Sequence, residues 1–359
     1  MTRDTWACLA TVTLAVVGGS ASAAPLFQVT NIGVPVGAHA SAAFAINNRD
    51  QVTGYVAVGS QIHGFYYSAG VIQDMGVLPG GTFSVGSAIN NAGTAVGYST
   101  TSSQNRGFRF SGGTLLSIGV PPGGSGSQAG AINSRGDIAG IAGFPGSTFD
   151  RAYIKSGGAW TNLGLLPGDQ YSSARGLNDL GQAVGESNDN SGGVVKKRAF
   201  LWSGGVMTDL GTPLGGWRYS GAGINNSGVA IGDYELASLD RGWVLDNGVM
   251  SDIPLLPGAS TLLPRDINNA GQIVGGSGGR GFLYDDGVIV DLNTLLDSTG
   301  AGWTLGMATG INEYGHICGM GTFNGEARGY LLTPVPSPAT LACLLPIAIS
   351  SGRRRSSKR

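Results

Sequence analysis

Charge is scarce in this chain. Asp, Glu, Lys and Arg make up 12 % of its 359 residues, roughly half the usual share. Hydrophobic residues are 42 %, so a polar disordered chain is excluded. Cysteine is scarcer still: Cys8 and Cys343 lie in the terminal segments, which leaves Cys318 alone in the body. An intramolecular disulfide framework is therefore excluded. The three histidines (His39, His63, His316) are scattered, so metal-ligand spacing is lacking and no metal is expected. No phosphate-binding loop or His-Glu-x-x-His motif occurs. No catalytic residue and no cofactor is assigned. A glycine at every third residue is also missing, which rules out a collagen helix.

Glycine itself is abundant. The chain holds 64 Gly and 15 Pro, about 22 % against a usual share near 12 %. Each interior glycine costs a helix about 1 kcal/mol relative to alanine. Long helices are thereby disfavoured, and an all-β protein with many tight turns is expected.

Both ends read as sorting segments. Arg3 precedes an apolar run from Ala7 to Val17, then Gly18 and Gly19, then the small-residue site Ala21-Ser22-Ala23. Residues 1–23 thus read as a secretory signal. At the other end, Pro336-Ser337-Pro338 leads into an apolar stretch from Ala339 to Ser351, then Arg353-Arg354-Arg355. Both apolar runs fall short of the about 20 residues that span a bilayer, so transient membrane contact is expected. The body, residues 24–334, keeps 15 Lys and Arg against 21 Asp and Glu, a net −6. That balance argues against nucleic acid as a partner.

The body is a repeat. An Ile-Asn or Leu-Asn anchor recurs seven times, with Asn at 47, 90, 133, 178, 225, 268 and 312, at spacings of 43 to 47 residues. After each anchor come a turn and a short apolar strand ending in glycine: Gly54, Gly97, Gly140, Gly185, Gly232, Gly275 and Gly319. A cation, a small residue and an aromatic follow, as in Arg198-Ala199-Phe200, then a hairpin turn and a strand such as Val206 to Gly211. We name the strands a (ending at Ile-Asn), b (ending at Gly), c (Arg-Gly-Phe) and d (Asp-Leu-Gly). Four strands in about 44 residues is the size of a propeller blade. The last copy lacks strand d after Arg328-Gly329-Tyr330, while the chain begins with a lone d strand, Phe27 to Gly33. The N-terminal strand therefore completes the last blade. A seven-bladed β-propeller closed in this way has no open edges.

Spacing then sorts the residues. The cation and the polar residue of strand d are eleven apart in His63/Asp74, Arg106/Ser117, Arg151/Asn162, Arg198/Asp209, Arg241/Asp252 and Arg280/Asp291, with Arg328 and Asn31 meeting across the closure. These read as one structural pair per blade. The anchor Asn reads as a turn residue. From anchor Asn to cation the distance ranges from 12 to 20 residues. From the strand d residue to the next Asn it is 16 in six units and 21 between Asp291 and Asn312, where residues 297–303 look inserted. The b–c and d–a loops share one face, so the variation maps to one rim, where a scaffold carries binding. Candidate ligand contacts there are Tyr55, Tyr98, Phe144, Phe149, Glu186, Asp189, Lys196, Lys197, Tyr234, Trp303 and Phe323. Asn188 to Gly192 has a calcium-loop look, but its twelfth position is Ala199, where an EF-hand needs Glu.

The elements Arg-Ala-Phe-x-Trp, Met-x-Asp-Leu-Gly and Ile-Asn-x-x-Gly-x-x-x-Gly resemble the bacterial HAF family of probable extracellular repeat proteins, over nearly all of residues 26–333. The tail resembles a PEP-CTERM sorting signal, with Ser337 where that signal usually has Glu. These resemblances imply an exported protein of the bacterial surface or matrix and an exosortase-type processing enzyme as a partner. They favour a non-catalytic propeller that binds extracellular polysaccharide or a surface protein. A carbohydrate-active enzyme (hydrolase or lyase) on the same scaffold and a purely structural surface protein stay open.

Overall fold

A computed structural model describes residues 26–102, 104–189 and 195–335. The two end segments read from the sequence as sorting signals, and most of the Asn188–Gly192 loop, lie outside these residues. The described chain folds into seven four-stranded antiparallel sheets, each in the order a-b-c-d. In blade 1 these are Ala38–Ile46, Val52–Val58, Gln61–Ser68 and Val71–Gly76. Blade 7 joins Trp303–Ile311, Ile317–Phe323 and Glu326–Pro334 to the N-terminal strand Phe27–Asn31. Phe27 pairs with Pro334 and Asn31 with Tyr330. The expected closure is therefore the one observed, and it leaves the ring without a free first or last blade. No helix among the described residues is long and apolar enough to cross a membrane.

The wedge between blades is filled by the aromatic two residues after each cation. Phe65, Phe108, Tyr153, Phe200, Trp243, Phe282 and Tyr330 are all completely buried. Each contributes about 1.5–3 kcal/mol of burial. Four blade interfaces add a serine bridge. Ser41, Ser84, Ser127 and Ser172 on strand a each accept the backbone N–H after the preceding blade's cation. Each donates to the carbonyl of the glycine at the end of that blade's strand d, Gly33, Gly76, Gly119 or Gly164.

The cation pairs form where strand d offers an aspartate. His63–Asp74, Arg198–Asp209, Arg241–Asp252 and Arg280–Asp291 meet at 2.8–3.0 Å. Where strand d offers Ser117, Asn162 or Asn31, the arginine turns to the next blade instead. Arg106, Arg151 and Arg328 donate to the carbonyls of Ser125, Gln170 and His39. The predicted Arg328–Asn31 contact is thus replaced, because a neutral amide attracts a guanidinium no better than a carbonyl does. Asn31 caps its own turn, its Oδ1 accepting Gly33 N–H at 2.8 Å.

The insertion after Asp291 serves the closure. It forms two 3₁₀ turns, Leu292–Thr294 and Ser298–Gly300, capped by Asp291 and Asp297. Phe27 N–H donates to Leu295 O at 2.7 Å, Asp297 N–H to Phe27 O at 2.9 Å, and Val29 N–H to Thr299 Oγ1 at 2.8 Å. The extra residues clasp the N-terminal strand against blade 6.

Candidate functional site

Strand a lines the axis, and one irregularity recurs in it. In every blade the a–b ladder skips one residue, three before the anchor Asn. The bulged residues are Phe44, Ser87, Gly130, Arg175, Ala222, Arg265 and Thr309. A bulge re-aims the side chain it carries. All seven line one axial cavity of about 200 Å³.

The glycine ending strand b lies beside the bulge. A Cβ on Gly54, Gly97, Gly140, Gly185, Gly232, Gly275 or Gly319 would overlap a strand a carbonyl oxygen, that of the residue five before the anchor. Close backbone approach, not a positive φ, requires glycine there.

The anchor Asn closes the ring. Its Oδ1 accepts two N–H groups of its own turn, as Asn178 does from Leu180 and Gln182. Its Nδ2 reaches the next anchor's carbonyl. The bonds run from Asn47 to Asn90, Asn133, Asn178, Asn225, Asn268, Asn312 and back to Asn47, at 2.8–3.2 Å. The turn reading holds for all seven, and the side chain also staples neighbouring blades. This relay frames an axial mouth of about 350 Å³, lined by Asn48, Asn91, Ser134, Asp179, Asn226, Asn269 and Glu313.

Among the described residues, the charged side chains that line the bulge-ring cavity are Arg175, Arg265 and Asp266, from blades 4 and 6. Arg175 pairs with Glu186 at 3.1 Å, and Lys197 reaches the same carboxylate at 3.1 Å. Burial would raise the Glu186 carboxyl, but Arg175 and Lys197 outweigh it and lower its pKa. Asp233, at the same register one blade on, is raised by burial despite Arg175 and Arg265. Arg265 is lowered by desolvation, which the Asp233 charge opposes and the Arg175 charge adds to. Asp266 stands where the other blades have Ala or Gly. Its carboxyl accepts Ile267 N–H and, across the blade gap, Ile311 N–H, both at 2.9 Å. Burial pushes it up to about 7.

The rim residues singled out from sequence do not form one surface. Tyr55, Tyr98 and Tyr234 sit on strand b itself. Tyr55 packs edge-on against the bulged Phe44, with ring centroids 5.5 Å apart. Tyr98 packs on Phe83. Tyr234 is buried against Tyr219 and donates to Asp252, so it is core and offers no ligand contact. Glu186 is also buried, in its ion pairs. Trp303 packs on Phe323 and Tyr330, beside the closure clasp. Phe144 is half-buried, Phe149 and Lys196 are exposed, and Asp189 pairs with Lys196 in the b–c ladder of blade 4.

Sequence reasoning missed three features. The bulge ring was visible as a variable position inside a constant frame, but only once the repeats are aligned on the anchor. The second is Trp217, at the start of strand a in blade 5. A further register shift lies between Trp217 and Ser220, and Arg218 adopts φ +56°. Trp217 stays 40 % exposed, with the Arg218 guanidinium 4.4 Å from its ring centre. The third is Gly275-Gly276-Ser277-Gly278-Gly279, which has nucleophile-elbow spacing. Ser277 is buried, accepting Leu256 N–H and donating to Thr261 O, so it is structural.

No family model and no curated protein matches the chain. Solved structures do, at the level of the fold. A gluconolactonase from Xanthomonas campestris shares 11 % identity at TM-score 0.43, covering 88 % of this chain and 92 % of that one. YCF48 from Cyanidioschyzon merolae shares 10 % at 0.46, covering 85 % and 98 %. The extracellular domain of BT4673 from B. thetaiotaomicron shares 10 % at 0.46, covering 84 % of this chain and 39 % of that one.

Proposed function

We propose that this chain is an exported, non-catalytic propeller of the bacterial surface or matrix that binds glycan or protein through its b–c rim. The carrying observation is Trp217. A strained backbone outlier next to an exposed aromatic points to function. Leu236 and Leu239, 38 % and 40 % exposed, form the adjoining hairpin tip. Arg218 also contacts Val195, which borders the b–c connection of blade 4, and pairs with Glu235 at 3.2 Å. Tryptophan with a cation over its face suits stacking on a sugar ring or an aromatic side chain. The test is retention of the full chain on polysaccharide from exopolysaccharide-producing bacteria and on their surface proteins. Trp217→Ala is expected to weaken retention at least tenfold with an unchanged melting temperature. Equal retention of wild type and variant, or none on any fraction, sinks the proposal.

A second reading has one observation in its favour. Glu186 and Asp233 are carboxyls at equivalent strand b positions of neighbouring blades, with shifts of opposite sign. Such a split assigns acid and base roles in glycoside chemistry. Release of reducing ends from an extracellular polysaccharide, lost in Asp233→Asn, would establish the enzyme reading over the binding one.

A further inference from the structure

The axial cavity is built on a sevenfold frame but is not sevenfold in chemistry. Of its seven bulged residues only two are charged, and both are arginine. Arg175 is matched by Glu186 at 3.1 Å. Arg265 is not matched. Its one polar contact among the described residues is Nε to the Met307 sulfur at 3.4 Å. Desolvation and the Arg175 charge act against its guanidinium, while Asp233 and Asp240 favour it through space without forming an ion pair with it. An arginine held this way lacks the planar, bidentate acceptor that its fork fits best, a carboxylate or phosphate. Asp266 in the same cavity cannot supply it, because its oxygens are committed to Ile267 and Ile311 N–H.

The rest of the cavity argues for what carries that anion. Phe44, on blade 1, stands two places round the ring from Arg265 and is braced by Tyr55. An aromatic face suits the C–H side of a sugar. At the mouth, Asn48 and Asn91 each give Oδ1 to a neighbouring turn, which leaves both Nδ2 groups as donors for hydroxyls. Ile46, Ile89 and Ile132 are shared by mouth and cavity, so a ligand enters from the a–b face. A volume of about 200 Å³ lies below the about 300–1,000 Å³ of pockets for drug-sized ligands and limits the occupant to one ring.

We propose that the axial cavity binds a single carboxylate-bearing sugar residue, with Arg265 holding the carboxylate and Phe44 facing the ring. This site is distinct from the b–c rim, so neither reading depends on the other. The test is calorimetry of the full chain with D-glucuronate, D-glucose, acetate and inorganic phosphate. Glucuronate is expected to bind at least tenfold more tightly than the other three. Arg265→Ser, a residue the same position carries in blade 2, is expected to lose that preference, and Phe44→Ala to weaken glucuronate at least fivefold. Should Arg265→Ser melt early, Arg265→Lys, which keeps charge but not the fork, is expected to lose at least fivefold. Val71→Ala, exposed on the outer strand d of blade 1, is expected to leave glucuronate binding unchanged. Equal binding of glucuronate and glucose, equal binding of phosphate and glucuronate, or glucuronate binding indifferent to Arg265 overturns the proposal.

Discussion

Two rings of side chains circle the axis three residues apart on strand a, and they behave in opposite ways. The anchor ring is Asn in all seven blades and uses both ends of its amide. The bulge ring holds six different residue types. The difference is where structural duty falls. At the anchor the side chain itself holds turn and neighbour, so only Asn serves. At the bulge the backbone makes the irregularity, and the glycine of strand b makes room for it. The side chain is then free to vary. Constancy thus marks how this ring closes, and variation marks where it can carry chemistry.

Four substitutions break or sharpen that contrast. Gly232→Ala is expected to have the largest effect. Its Cβ would overlap Ser220 O and the buried Trp243 ring, at a cost of about 3 kcal/mol, seen as a lowered urea midpoint. Next is Asn178→Ala, which strands the Leu180 and Gln182 N–H groups and removes the inter-blade bond to the Asn225 carbonyl. A loss of about 2–3 kcal/mol is expected by the same melt, with Asn178→Asp recovering the turn but not the staple.

Asp266→Ala tests the one place where charge intrudes on the small-residue frame. Its carboxyl is raised to about 7 from 3.8. Between those pH values the folded state holds a proton that the unfolded state has released, so stability falls as pH rises from about 4 to 7. The full shift corresponds to about 4 kcal/mol, and loss of two backbone hydrogen bonds offsets part of the gain. The variant is expected to be about 1–2 kcal/mol more stable than wild type at pH 8 and no more stable at pH 4. Melts at both pH values check the sign. The smallest effect is expected for Ser87→Ala on the bulge ring, within about 0.5 kcal/mol. A loss as large as that of Asn178→Ala would show that the bulged side chain does have structural duty.

The fold was legible because its signals are local. Ile-Asn, the strand-ending glycine and the Arg-x-aromatic triplet recur in order, and the split seventh unit announced the closure. The cation pairs were readable at charged positions and not at Ser117, Asn162 and Asn31, where the choice of acceptor rests with the neighbouring blade. The candidate site was less legible. Length variation pointed to the b–c rim, yet Tyr234 lies in the core, and Trp303 packs beside the residues that clasp the closing strand. Loop length reports where residues are added, not which way they face. Trp217 escaped notice because its exposure comes from a register shift that periodicity does not encode.

By itself, the sequence determined the number of blades, the order of strands and the way the ring closes, since these follow from short-range patterns repeated seven times. Only the tertiary structure decided that the anchor amides join into one ring and that seven residues of six types share one cavity. It also decided that Arg265 stands there with no carboxylate in ion-pair contact among the described residues. Residues 43–47 positions apart in sequence become neighbours only when the blades close around an axis, and no single repeat contains that axis.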